Sequence, residues 1–116
     1  MKEEKSLTTQ EEIEVKEDTE EVDFMMVKLS KPYKFEGQEI KELDLNGLED
    51  MKGADMLAIN RMMKRRGNTD ASPEMTMEFA FFAAMQATGY PLEFFNVLSM
   101  KDCMKVKTRV NYFLVS

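Results

Sequence analysis

The chain has 116 residues, which is about one domain and enough to bury a core without disulfides. Its 22 acids and 16 bases give a formal net charge of −6, which disfavours binding to a nucleic-acid backbone. Histidine is absent and Cys103 is the single cysteine, so histidine-dependent catalysis, zinc clusters and internal disulfides are excluded. We therefore expect a non-enzymatic protein without a metal or cofactor. No signal peptide is apparent at its start, and we expect an intracellular protein.

Charge and apolar residues divide the chain at the same point. Residues 1–23 contain ten acids, three lysines and only five apolar residues, whereas residues 24–116 contain 12 acids, 13 bases and 45 apolar residues. Five apolar groups cannot offset an ordering cost of roughly 1 to 2 kcal/mol per residue. We predict a disordered acidic arm at residues 1–23 and a folded domain at residues 24–116. The alternative for the arm is a docking segment that becomes ordered on a basic partner.

A β-hairpin is predicted at residues 24–45. Residues 24–29 form a short extended segment that ends at a polar turn, and residues 38–45 contain the alternating Leu43, Asp44 and Leu45. Residues 33–36 either bridge the two strands or extend their pairing. Because an isolated hairpin is only marginally stable, we expect it to pack against helices.

Two helices are predicted next, at about residues 54–66 and 73–88. In the first, Met56, Ile59 and Met63 recur with helical spacing, and Gly67 follows as a terminator. The second has Ser72 as its predicted N-cap, Pro73 at its first position and Gly89 after its end. It is apolar on most sides, which indicates the central core helix, and it is too short to span a bilayer.

Two more helices are predicted at about residues 91–98 and 100–115, beginning at Pro91 and after Ser99. One face of the last helix is apolar and should dock on helix 73–88, with Cys103 buried and unreactive; its members are Cys103, Val106, Val110, Phe113 and Leu114. The predicted fold class is therefore α+β, a small N-terminal antiparallel β-hairpin followed by a compact bundle of about four helices.

No residue pattern supports catalysis. The acidic pairs Glu39/Glu42 and Glu49/Asp50 lie beside no nucleophile or metal-ligand pattern, so we interpret them as solvated turn residues. The basic run Lys64–Arg66 ends a predicted helix, where cations interact favourably with the helix dipole. A contact with an acidic partner, or with the acidic arm, is the alternative for this run.

Methionine is the unusual component, at twelve of 116 residues. Its flexible, polarizable side chain suits both irregular cores and binding surfaces that adapt to different partners. Composition leaves both interpretations open.

The order of several short segments resembles the tail assembly chaperones of long-tailed phages and prophages. The segments are Val27–Pro32, Phe35–Ile40, Leu43–Leu45, Gly53–Met56, Thr88–Pro91 and Lys101–Asp102, followed by Val106, Val110 and Phe113–Leu114. The similarity covers about four fifths of the chain and does not include the acidic arm.

This resemblance implies a non-catalytic protein that binds and solubilises the tape measure protein while tail tube subunits assemble around it. It also implies the cytoplasm of a bacterial host as the location, absence from the mature virion, contact with the tail tube protein and self-association in multiple copies, with no nucleic-acid or membrane partner. An alternative function is an acidic inhibitor that acts on a basic protein through residues 1–23.

The partner-binding residues are predicted to be apolar side chains that fall off the core-facing stripes. We predict Met104 and Tyr112 on the last helix, together with Met62 and Phe95.

Overall fold

The computed structural model describes residues 24–116, so the disorder predicted for residues 1–23 lies outside the described residues. Strands β1 (Met26–Phe35) and β2 (Gln38–Asp44) precede helices α1 (Gly53–Arg65), α2 (Met77–Thr88), α3 (Leu92–Asn96) and α4 (Met100–Val115). Short 3-10 helices at Asn46–Asp50 and Pro73–Met75 lead into α1 and α2. Within residues 24–116, the α+β class with one antiparallel hairpin and four helices is confirmed.

The hairpin is closed by a two-residue turn at Glu36 and Gly37. Phe35 pairs with Gln38 across the turn, and Glu36 and Gly37 have φ angles of 50° and 80°. Positive φ at both positions gives a turn whose twist matches that of the two strands, and glycine adopts it without steric cost. The chain therefore reverses at Glu36 and Gly37, and not at the polar turn after residue 29.

Strand β1 contains a bulge where the sequence predicted its end. Lys28 pairs with Glu42 and Tyr33 pairs with Ile40, so residues 29–32 stand opposite the single residue 41. Pro32 has no N–H to donate, which favours an interruption of the ladder at this point. The first strand therefore does not end at residue 29, and the alternative that residues 33–36 extend the pairing is confirmed for Tyr33 to Phe35.

Helix α2 is the centre of the core, as its apolar sequence predicted. Its buried residues are Phe79, Ala80, Phe82, Ala83 and Ala84, and it packs against both α1 and α4. The alanine side chains of α2 are small, so the backbone of neighbouring segments can approach the helix closely. A Cβ atom added to Gly47 would lie 2.7 Å from the carbonyl oxygen of Ala87, so only glycine fits there.

Helix α3 is shorter than the predicted span of 91–98, and it inserts aromatic rings into the core. Phe94 and Phe95 are fully buried. The Phe94 ring lies 5.5 Å from the ring of Phe35 and 5.0 Å from that of Tyr90, measured between centroids. The expectation that Phe95 lies off the core is therefore wrong. Both aromatic side chains of this single helical turn are covered by the rest of the domain.

The N-cap of the core helix is Thr76, not Ser72. Pro73 begins a separate 3-10 helix, and the Ser72 side chain makes no capping hydrogen bond. The Thr76 hydroxyl oxygen instead accepts a hydrogen bond from the Phe79 N–H at 3.2 Å. The ends of the helices follow the prediction more closely, because Gly67 and Gly89 have φ angles of 97° and 84° in the left-handed region.

Substitution of the two candidate caps distinguishes these assignments. We expect Thr76→Ala to lower the free energy of unfolding by about 1 kcal/mol, because the Phe79 N–H loses its acceptor. Ser72→Ala is the matched control and should change stability by less than about 0.5 kcal/mol. Urea unfolding followed by circular dichroism measures both, and a larger loss for Ser72→Ala would contradict the assignment.

Candidate partner-binding surface on the last helix

A buried carboxylate connects the hairpin to α4. Asp102, in the first turn of α4, has no exposed surface. Its Oδ1 accepts a hydrogen bond from the Ser30 N–H at 2.9 Å, and its Oδ2 accepts from the hydroxyls of Ser30 and Tyr33 at 2.8 and 2.7 Å. The Tyr33 oxygen in turn accepts from the Ser99 N–H at 2.9 Å. The β1 bulge is thereby fixed to the start of α4.

These contacts set the charge state of Asp102. Burial alone raises the pKa of this carboxyl, but the hydrogen bonds from Tyr33 and Ser30 outweigh burial and hold the pKa below its usual value. The Ser99 side chain caps α4 by accepting from the Asp102 N–H at 3.2 Å, as predicted for Ser99. Asp102 is therefore an ionised, fully bonded structural group.

Side chains of α4 also cover the outer edge of β1. Arg109 donates to the carbonyl oxygens of Phe24 and Met26, and the Lys105 Nζ donates to the Lys28 carbonyl at 2.8 Å. The Ser30 N–H donates to Asp102 in the same row. These hydrogen bonds therefore involve every second residue from Phe24 to Ser30, along one edge of the strand. A covered edge does not recruit foreign strands.

The solvent-facing side of α4 carries several exposed apolar side chains. Met100, Met104, Tyr112 and Val115 are 86%, 50%, 55% and 73% exposed. Met100 and Met104 are four residues apart and adjoin on the helix surface, and exposed Thr108 separates Met104 from Tyr112 along the same row. We call these four residues the outer face of α4.

The structure separates the four residues predicted to bind a partner. Met104 and Tyr112 lie together on the outer face, whereas exposed Met62 lies on α1 beside a groove shared with Phe82 and Tyr90 of about 210 Å³. Phe95 is buried and belongs to neither surface. The prediction omitted Met100 and Val115, although the spacing of Met100 and Met104 was a signal that would have found them.

An apolar cavity of about 220 Å³ lies near the end of α4. Phe113 and Leu114 of α4, Phe79 and Ala83 of α2, and Met51 and Met56 around the start of α1 contribute to its lining. Val110 also reaches it. The cavity has the dimensions of a pocket for one or two apolar side chains, and none of the four outer-face residues lines it.

Cys103 and the basic run Lys64–Arg66 are the remaining residues that the sequence singled out. Cys103 is only partly buried, which corrects the prediction of full burial, and burial together with the charge of Asp102 raises the pKa of its thiol. In the basic run, Arg66 pairs with Glu78 at 2.7 Å and lies over the Phe82 ring. Hydrogen bonds from Asn68 and Arg66 lower the pKa of Glu78.

The methionines occupy both kinds of environment that composition left open. Met25 and Met63 are buried, whereas Met62, Met75, Met100 and Met104 are exposed. The residue is therefore a core filler and a surface group within the same domain.

The sequence was compared with known protein families. Residues 26–115 match the family described as "Phage tail assembly chaperone proteins, E, or 41 or 14". The chain belongs to this family. The match spans both strands and all four helices of the described residues, and so confirms the resemblance found in the sequence. Searches of curated proteins and of solved structures found no match.

Membership of a tail assembly chaperone family implies a role in assembly and not in catalysis. The described residues contain no group of three or more acids or cysteines placed to hold a metal ion. None of the helices within residues 24–116 combines the length and the hydropathy that crossing a bilayer requires.

Removal of the Asp102 charge tests its structural role. We expect Asp102→Asn to lower the free energy of unfolding by roughly 2–4 kcal/mol at pH 7, because buried donors on Ser30 and Tyr33 lose their charged acceptor. Ser30→Ala should cost less, since the backbone bond to Asp102 remains. Urea denaturation measures both variants.

The difference in unfolding free energy between the wild type and Asp102→Asn should depend on pH. The pKa of Asp102 is lower in the folded chain than in the unfolded chain, where it is about 3.9, so its stabilising contribution is complete above about pH 5. That contribution is lost as the pH falls through the folded-state pKa. The stability gap between the wild type and Asp102→Asn should therefore narrow below about pH 4, and a constant gap would contradict this role.

Proposed function

We propose that this tail assembly chaperone binds the tape measure protein and keeps it soluble while the tail tube assembles around it. Family membership supports a role in tail assembly. The observation that carries the finer proposal is the group of exposed apolar side chains on the outer face of α4. A surface of this kind suits a long helical client better than a small molecule.

The client, the tape measure protein, is the molecule that needs to be shielded. A long helical protein exposes apolar stripes before its final partners enclose it, and such surface aggregates unless it is covered. A partner helix lying along α4 would present side chains at i, i+3 and i+4 to the outer face.

The chemistry of the outer face suits a client of variable sequence. Met100 and Met104 have unbranched, polarizable side chains that adapt to different apolar groups. Tyr112 adds a large ring with a polar end, and its ring already rests on Phe24 with 4.6 Å between centroids. Exposed Lys101 borders the stripe and keeps it narrow, which limits aggregation of the chaperone itself.

Release is part of the proposal. Many copies along one tape measure chain shield it collectively even when each copy binds weakly, and tail tube subunits then displace the copies one at a time. Self-association of the bound copies belongs to the same proposal. The protein would act in the cytoplasm of the bacterial host and be absent from the finished virion.

Coexpression with a tape measure fragment tests the proposal. We expect the wild-type chain to increase the soluble fraction of the fragment, and Met100→Glu combined with Met104→Glu to abolish the increase. Two charges at a contact that buries two methionines should weaken binding at least about tenfold, since each buried apolar side chain contributes roughly 1.5–3 kcal/mol. Fluorescence titration with a purified fragment gives the affinity.

Met75→Glu is the matched control for this experiment. Met75 is 44% exposed, similar to Met104, but it lies in the 3-10 helix before α2 and away from the outer face. It should bind and solubilise the fragment like the wild type. Circular dichroism establishes that all variants are folded. Unchanged solubility of the fragment with and without the wild-type chaperone would reject tape measure binding.

A further inference from the structure

Helix α4 carries an uncompensated positive charge. It contains Lys101, Lys105, Lys107 and Arg109, and its one acid is the buried Asp102. Among the described residues, no carboxylate pairs with Lys101 or Lys107. The solvent side of α4 is therefore both apolar and basic.

Three basic groups elsewhere in the domain have acids close to them. On β1, Lys28 pairs across the hairpin with Glu42, and Lys34 pairs with Glu39. At the end of α1, Arg66 is paired with Glu78. Helix α1 also has exposed bases, Arg61, Lys64 and Arg65, and with Asp55 its net charge is +2. Helix α4 has four bases and one acid, a net charge of +3, which is the larger of the two.

The acidic arm joins the domain beside this helix. The ring of Phe24 packs on Tyr112 at 4.6 Å and lies under the Arg109 guanidinium at 4.7 Å, measured to the Phe24 ring centroid. Arg109 also donates to the Phe24 carbonyl oxygen. The first described residue after the arm is thus held against the second half of α4.

We propose that residues 1–23 fold back along α4 and cover its outer face. The arm carries ten acids and three lysines, a net charge of −7, against four bases on α4. Its middle contains Ile13 and Val15, which would cover Met100 and Met104 while neighbouring acids meet Lys101 and Lys107. The proposed occupant is therefore complementary in charge and in apolar character.

The arm is long enough for this path. Arg109 and Met100 are nine residues apart on α4, which corresponds to about 14 Å at 1.5 Å per helical residue. An extended chain advances about 3.3 Å per residue, so roughly five residues of the arm span that distance. Residues 11–23, which contain eight of the ten acids, all fall within reach of the outer face.

This docking would make the arm a competitor of the client. The competition with the client rests on the proposed function. The contact between the arm and α4 does not, because it forms within the chaperone chain itself. Reducing the negative charge of the arm in the full chain should then increase client affinity by roughly fivefold or more, the usual lower range of coupling between sites. Five substitutions reduce the net charge of the arm from −7 to −2, namely Glu11→Gln, Glu12→Gln, Glu14→Gln, Glu17→Gln and Glu20→Gln.

Methionine-methyl NMR of the full chain tests the contact directly. A nitroxide is attached at Gln10→Cys in a chain that also carries Cys103→Ala, and the methionine methyl groups are isotope-labelled. We expect the Met100 and Met104 signals to lose most of their intensity, whereas Met56 and Met62 on α1 keep theirs. At roughly 1 M salt, where the screening length is about 3 Å, the loss should be much smaller.

Charge-reversal variants provide the matched comparison. Lys101→Glu combined with Lys107→Glu should restore the Met100 and Met104 signals, because the arm loses its partners. Lys64→Glu combined with Arg65→Glu reverses two exposed bases on α1 and should change nothing. Equal broadening of all methionines, or broadening centred on α1, would overturn the proposal.

A mixed sample distinguishes docking within one chain from docking on a second copy. Nitroxide-labelled chains without methyl labels are mixed with methyl-labelled chains without nitroxide. Broadening of Met100 in this mixture, equal to that in the doubly labelled chain, would show that the arm binds another copy and would overturn docking within the chain. Because no client is present, these results are independent of tape measure binding.

Discussion

The carboxylate of Asp102 is the interaction on which the rest of the structure depends. A buried ion costs several kcal/mol unless hydrogen bonds replace its water. Ser30 and Tyr33 supply those bonds from the bulge of β1, and the Lys105 Nζ lies 3.6 Å from the same carboxylate. The position in the first turn of α4 adds a favourable interaction with the helix dipole. One side chain thus joins the hairpin to the last helix.

The orientation of α4 follows from this attachment. Once Asp102 faces the bulge, Lys105 and Arg109 lie along the edge of β1 and bond its carbonyl groups, while Val106 and Val110 enter the core. Met100 and Met104 are left on the solvent side. The exposed apolar outer face is therefore a geometric consequence of how the other sides of the same helix are used, and not an unfilled part of the core.

Sequence patterns predicted the features that are encoded locally. Helical periodicity and the two terminating glycines gave the long helices, and Ser99 was recognised as a cap. Interactions distant in sequence were not visible, and Ser30 and Asp102 are 72 residues apart. Phe95 was misassigned because a single turn of helix has no periodicity that defines its buried face. Ser72 was misassigned because Pro73 starts a 3-10 helix with the same sequence signals as an α-helix.

The segments that carry the family resemblance meet in the structure. Val27–Pro32 contains Ser30, Lys101–Asp102 contains its partner, and Tyr90 of Thr88–Pro91 packs on Phe94. These segments therefore specify the scaffold and the placement of α4. Met104 and Tyr112 lie outside them, and their exposed side chains are dispensable for the core. Under the proposed function, substitutions on the outer face would alter partner preference at little cost in stability, because folding and recognition would then depend on different sides of one helix.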